Sequence, residues 1–290
     1  ASWKSLMRTL DPGTMGGDTG WGFRIIMLGV TLGGIFIVST LIGVLASGIS
    51  NKLDELRKGH SFVVEKGHTL ILGWSEKIFP IISELLIANE NQRSPVIVIL
   101  GHPDKVAMED EIKARIPNTK NTRVICRSGS TIDLNDLEIV NPHDSRSIII
   151  LTPDGDDPDI SVIKTILALT NNPNRRSEPY HIVAEISDNK NKEVAEMIAS
   201  GEVTLVHTED LISRVIAQSC RQSGLSVVYT ELLDFDGDEI YFEEETGLVG
   251  KTFKDAVMSY EDSTIIGIRK KDGSITINPP MDTKFESGDK

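Results

Sequence analysis

His68-Thr-Leu-Ile-Leu-Gly-Trp-Ser-Glu-Lys-Ile-Phe-Pro-Ile-Ile-Ser-Glu-Leu-Leu-Ile-Ala-Asn89 is the stretch whose reading decides the fold. Thr69 to Leu72 is a short uncharged run that stops at a glycine, and Glu76 to Asn89 follows with helical spacing. The same alternation continues outward from it. Further strands are expected at Val96 to Leu100, Arg123 to Cys126, Ser147 to Leu151, His181 to Ile186 and Val203 to Val206. Helices are expected at Lys105 to Arg115, Leu134 to Glu138, Ile160 to Leu169, Lys190 to Ile198 and Glu209 to Gln222. Strands that are apolar throughout, separated by helices, belong to a parallel sheet covered on both faces. The expected fold is therefore α/β, a Rossmann-like doubly wound sheet over residues 68–230.

The first strand ends in Gly73-Trp-Ser-Glu-Lys-Ile78, where a dinucleotide binder carries GxGxxG. Only the first glycine is in place. Ser75 tolerates close backbone approach, but Ile78 stands where a third glycine would let the helix pack tightly. The second strand ends in Leu100-Gly-His102, with no acidic residue for a ribose hydroxyl. Gly73 and Ser75 are thus candidate cofactor-binding residues at a helix N-terminus able to hold an anion, while the broken fingerprint argues against classical NAD binding.

The whole chain has 290 residues and a net charge of −13, room for one large or two modest domains. No face of clustered Lys and Arg is evident, so nucleic acid is not an expected partner. Cys126 and Cys220 stand far apart in no metal or redox spacing, which suits a reducing compartment.

From Ile25 to Ser50 no side chain is charged, and about 26 such residues suffice to cross a ~30 Å hydrocarbon core. The run reads as a transmembrane helix; a signal peptide has a shorter apolar part. Lys52, Arg57 and Lys58 follow it, against Lys4, Arg8 and Arg24 before it, and with the large acidic, thiol-bearing domain that comes next they favour the cytoplasmic side for residues 51–290. Before it, a short amphipathic segment leads into the glycine-rich loop of residues 11–22, in the order of a pore helix and filter-like loop over residues 1–24. Non-helical backbone at membrane depth survives where protein or a water-filled path satisfies its carbonyls. An ordinary extracytoplasmic turn with Trp3 and Trp21 at the interface is the plainer reading, since TVGYG is absent. Gly29 and Gly33 make a GxxxG, and small residues let helices pack closely. Gly33, Gly34 and Gly43 are also candidate gating hinges.

Residues 51–67 form a charged linker. Asp154-Gly-Asp-Asp-Pro-Asp159 follows the fourth strand, at the carboxyl end where doubly wound folds bind ligands. Asp154, Asp156, Asp157 and Asp159 could ligate Ca2+, with Glu185, Asp188, Glu209 and Asp210 completing a site; acidic residues before a helix also simply favour its dipole. The six histidines are scattered and no nucleophile motif is present, so no catalytic set emerges and an enzyme is not expected. Residues 231–290 read as a small α+β subdomain: a strand, a turn, a short helix and a hairpin turning at Asp272-Gly273. The chain has the look of a fragment at both ends.

These motifs together resemble the Castor and Pollux family of ion channels. The resemblance rests on Leu56-Arg-Lys-Gly59, His68-Thr-Leu-Ile-Leu-Gly-Trp-Ser75, Val124-Ile-Cys-Arg-Ser-Gly-Ser130 and His181-Ile-Val-Ala-Glu-Ile-Ser-Asp188. It implies a homotetrameric, membrane-embedded cation channel whose regulator-of-potassium-conductance domains pull on the inner helices. It also implies an Asp-x-Gly filter element, matched here by Asp11-Pro-Gly13, with Gly16 and Gly17 in the same loop. Regulation by divalent cations in that family favours Ca2+ as a ligand of the Asp154 cluster. K+ and Ca2+ both stay open as the conducted ion. Two other readings are a TrkA-like regulatory subunit of a potassium uptake system, which lacks a membrane helix, and a membrane-anchored NAD-dependent oxidoreductase.

Overall fold

The computed structural model describes residues 7, 9, 17, 19–57, 59, 61–155, 157–198, 201–237 and 239–290, the side chains of 51–57 excepted. It divides into two units, Ala1–Ala217 and Gln218–Lys290.

The first unit opens with α1 (Trp21–Arg57), 37 residues without a proline. At 1.5 Å per residue it is about 55 Å long. Its Trp21–Ser50 portion, whose most apolar 18 residues have a mean hydropathy of 2.4, is long and apolar enough to span a membrane. The helix thus runs seven residues past Ser50, into what the sequence suggested as linker, because nothing from Asn51 to Arg57 breaks it. Among the described side chains of α1 a single stripe, Met27, Thr31 and Gly34, is buried. Its spacing of four and three residues keeps it on one face.

Six strands follow: β1 (Thr69–Leu72), β2 (Val96–Gly101), β3 (Arg123–Ser128), β4 (Ser147–Ile150), β5 (Ile182–Ile186) and β6 (Val203–His207). All pair in parallel in the order β3-β2-β1-β4-β5-β6. The helices are α2 (Ile78–Ala88), α3 (Lys105–Arg115), α4 (Leu134–Ile139), α5 (Pro158–Thr170), α6 (Asn189–Ile198) and α7 (Thr208–Arg221). Along β1 the pleat sends Leu70 and Leu72 to one core, with Val98, Leu100, Ile148, Ile150 and Ile166. Ile71 points to the other, with Ile97, Ile99, Ile78, Ile82 and Met108. Both faces are filled, which is why the strands read as apolar runs rather than alternating ones. The chain reverses its winding direction between β1 and β4, so the carboxyl ends of those strands flank the crevice where this topology binds ligands.

In the second unit, α8 (Leu225–Leu233) and α9 (Phe253–Val257) precede a hairpin of β7 (Gly267–Arg269) and β8 (Ile275–Ile277). A capping box between Thr252 and Asp255 starts α9, and Leu248, Phe253, Ala256, Ile268 and Phe285 make a small core. The expected turn at Asp272-Gly273 is present, with Gly273 at φ +87°. The expected strand before it is not: the described residues from 239 to 245 carry no strand, having no neighbour to pair with.

Candidate functional site

Gly73 leaves β1 at φ +109°, and a Cβ there would stand 2.8 Å from the Leu151 carbonyl oxygen. The position is closed to other residues both by backbone conformation and by the approach of the β4 end. This brings the β1–α2 turn over the crevice. Ser75 is buried there, and its hydroxyl has no hydrogen-bond partner. Ile78, the residue that breaks the fingerprint, is fully buried at the start of α2 and packs in the core. On the β2 side, Asp104 is the first carboxylate in sequence after the strand end, and it accepts from the Val106 amide at 2.8 Å as the cap of α3.

The crevice is crossed by a polar bridge that sequence reading did not assemble. Glu185, near the end of β5, is 6% exposed. Its Oε2 accepts from the Thr152 amide at 3.2 Å and from the Thr152 hydroxyl at 2.6 Å. Its Oε1 accepts from the Thr208 hydroxyl at 3.1 Å and pairs with the Lys77 ammonium. Lys77 also donates to Thr152 Oγ1 at 3.3 Å. Burial pushes the Glu185 carboxyl up, but the hydrogen bonds from Lys77 and Thr152 outweigh it and hold the group below its ordinary value. The signal in the sequence was a lone carboxylate inside Ile-Val-Ala-Glu-Ile, a charge that a buried strand tolerates only with partners.

The acidic loop is more dispersed than its sequence suggests. Asp159 is buried, accepting from the Ser187 and Asp188 amides at 2.9 and 2.8 Å and from Asn191 Nδ2 at 3.0 Å. It ties α5 to the turn after β5. Asp154 and Asp157 are exposed, Asp157 at φ +52° before α5; Asp156 lies outside the described residues. Asp188 caps its own turn at Lys190 and Asp210 pairs with Arg214 at 2.7 Å. Among the described residues no three His, Cys, Asp or Glu side chains gather as a metal-ligand set.

Of the pore residues, Asp11, Gly13 and Gly16 lie outside the described residues, and Gly17 is exposed. The three gating glycines separate. A Cβ on Gly34 would stand 2.6 Å from the Thr9 Cα, so Gly34 is a packing position. Gly33 and Gly43 have open space around them. Together with Gly29, Thr40 and Ser47 they recur at spacings of four, seven, three and four residues, a face two positions round from the buried stripe and so nearly opposite it.

After α1 the chain turns at Gly59, φ +80°, where a Cβ would stand 3.1 Å from the Ser128 amide at the end of β3. It then runs back along β3 towards its start. Arg127 Nε donates to Ser61 O at 2.6 Å, Val63 N to Ile139 O at 2.7 Å, and Arg123 pairs with Glu65. Gly67 N donates to Asp144 O at 2.7 Å just before β1. This strap fixes the exit of α1 to the full length of the edge strand.

Over 99% of its length the chain is 35% identical to "Ion channel CASTOR" of Lotus japonicus, spanning 34% of that protein. It is 33% identical, again over 99% of its length, to "Probable ion channel CASTOR" of Oryza sativa subsp. japonica, spanning 32% of it. The chain is a Castor/Pollux relative. Residues 209–290 of this relative match the family model described as Castor and Pollux, part of voltage-gated ion channel. The chain spans about a third of the length of these curated relatives. Both are named ion channels, which agrees with the lack of a catalytic set in the sequence and speaks against the oxidoreductase reading. Among solved structures, the human SLO3 gating ring aligns over 77% of this chain and 43% of its own with a TM-score of 0.52 and 19% identity. That likeness concerns the fold alone.

Proposed function

We propose that this Castor/Pollux relative forms the pore-to-regulator section of a ligand-regulated cation channel, with α1 lining the ion path and the α/β unit biasing its opening from the cytoplasm. The observation that carries the proposal is the strap. A helix with a 30-residue apolar span passes, through Gly59 and a line of bonds at Ser61, Val63 and Glu65, into the edge of a ligand-binding fold. Motion of β3 has a short, bonded route to α1. A ligand drives such motion only if it binds the open and closed arrangements unequally.

The conducted ion is a cation, K+ or Ca2+, passing near Asp11, Gly13, Gly16 and Gly17. The crevice at Gly73 and Ser75 is the candidate ligand site, with the Lys77–Glu185 bridge as the element that a bound anion would displace. The acidic loop is a candidate Ca2+ sensor through Asp154, Asp156 and Asp157; Asp159 is already committed to backbone amides. Assembly as a homotetramer in lipid belongs to this reading; association of copies is supported by α7, which buries none of its residues and leaves Leu211, Ile212 and Ile216 exposed. An apolar helix face of this kind needs a cover.

Ion flux into liposomes holding the full-length protein tests the reading, with K+, Na+ and Ca2+ compared and divalent cations varied on the side of residues 51–290. Cation-selective flux that responds to divalents is expected. No flux from an inserted oligomer would leave a membrane-tethered sensor instead. In the same assay, Asp154→Asn with Asp156→Asn abolishes the divalent response if the loop is the sensor and leaves it unchanged if the loop only starts α5.

A further inference from the structure

A groove of about 480 Å3 lies between α3 and β3, within the ~300–1,000 Å3 of small-molecule sites. It includes the loop from Pro117 to Thr122, at the amino end of β3, and so lies at the other end of the sheet from the Gly73 crevice. Its floor is apolar. Ile112, Ile116 and Cys126 are buried, and Val124 packs against them. Burial pushes the Cys126 thiol up to about 12, so the floor carries no charge at neutral pH.

The rim is different. Lys113, Lys120 and Arg123 line it against one carboxylate, Glu109, in a chain of net charge −13. Lys120 pairs with Glu90 at 3.4 Å, Arg123 with Glu65, and Glu109 with Lys105 at 3.6 Å. Lys113 has no ion-pair partner among the described residues. Thr122 also lines the groove. It is 3% exposed, and its hydroxyl has no hydrogen-bond partner, whereas buried polar groups are nearly always paired.

We propose that this groove binds a single-tailed amphiphile with one anionic head, a fatty carboxylate or an alkyl phosphate. The tail lies on Ile112, Ile116, Val124 and Cys126. The head sits by Lys113 and accepts from the Thr122 hydroxyl. A neutral apolar ligand would leave both Lys113 and Thr122 unanswered. A nucleotide would find no aromatic face on the floor to stack a base. Because Arg123 on the rim also holds Glu65 of the strap, an anion competing for Arg123 acts on the segment that leaves α1.

Photoaffinity labelling of the full-length protein in nanodiscs tests this, using diazirine-tagged decanoate, decyl phosphate and the neutral decanol, with labelled peptides counted beyond residue 60. Labelling by at least one anionic probe is expected to concentrate between Ile112 and Cys126, about fivefold or more above decanol. It should fall severalfold in Lys113→Glu, whose side chain is exposed, and in Thr122→Val, while Thr122→Ser retains it. Labelling by only one anionic probe identifies the head group. Equal labelling by decanol, labelling undiminished in Lys113→Glu, or no labelling in this segment overturns the proposal.

Discussion

At the residue scale, Glu185 and Gly73 carry most of the crevice. Glu185 is a buried carboxylate surrounded by one ammonium, two hydroxyls and an amide. Removing its charge leaves Lys77 without a counter-ion and weakens every bond it accepts. Glu185→Gln is expected to lower unfolding free energy at neutral pH by about 1–3 kcal/mol. The pH dependence follows from the lowered carboxyl. A carboxylate held below its ordinary value in the folded state contributes stability that is fully present above the unfolded value of about 4.3. That contribution is lost as pH falls through this range towards the folded value. Urea titrations from pH 7 to pH 3 should therefore show a shallower acid-side loss in Glu185→Gln than in the parent chain; an equal slope would mean that Glu185 is not held ionised. Gly73→Ala sets a Cβ 2.8 Å from Leu151 O at a left-handed φ. A loss of at least about 1 kcal/mol is expected from the backbone alone, read as a lower thermal midpoint.

At the scale of elements, the strap and α1 join the sheet to the apolar helix, and the proposed coupling runs through them. Arg127 is half-buried, and its bond to Ser61 O holds the strap at the carboxyl half of β3. Arg127→Ala is expected to leave ligand binding in place and reduce the ligand-dependent part of the flux a few-fold. That matches the roughly 0.5–2 kcal/mol by which such coupling residues act, and flux and binding measured on one preparation separate the two effects. On α1 the glycines divide by packing. Gly34→Ala drives a Cβ into the Thr9 backbone, whereas Gly33→Ala and Gly43→Ala meet open space. Gly34→Ala should lower the recovery and thermal stability of the detergent-solubilised protein, and the other two should not. If all three behave alike, Thr9 does not pack on the helix.

At the scale of the whole molecule, what the described surface leaves uncovered points to assembly. α7 has a polar side with Asp210 and Arg214 and an apolar side of Leu211, Ile212 and Ile216, with Glu209 at its edge, yet none of it is buried. Ile212→Glu with Ile216→Glu is expected to shift the oligomer towards smaller species in mass photometry, with the fold of single chains retained by circular dichroism. An unchanged mass distribution would place the subunit contacts elsewhere.

The sequence by itself determined the layered part of this protein. Six strands and their helices were legible to within two residues because a parallel sheet buried on both faces forces apolar runs, and because Asp104 and Asp133 cap the starts of α3 and α4 and Gly73 ends β1 at a positive φ. The membrane-spanning helix was legible for a similar reason, since a long uncharged run has few other uses. Its end was not, because helix continuation through Arg57 depends on the absence of a breaker rather than on hydrophobicity. Only the tertiary structure decided which polar groups meet. Lys77, Thr152, Glu185 and Thr208 come from four separate segments and converge because four strand ends share one edge of the sheet. Asp159 looked like one of four equivalent carboxylates until its burial against the β5 turn set it apart. The strand expected near residue 240 does not form, since a strand is completed by its neighbour and local sequence cannot supply one.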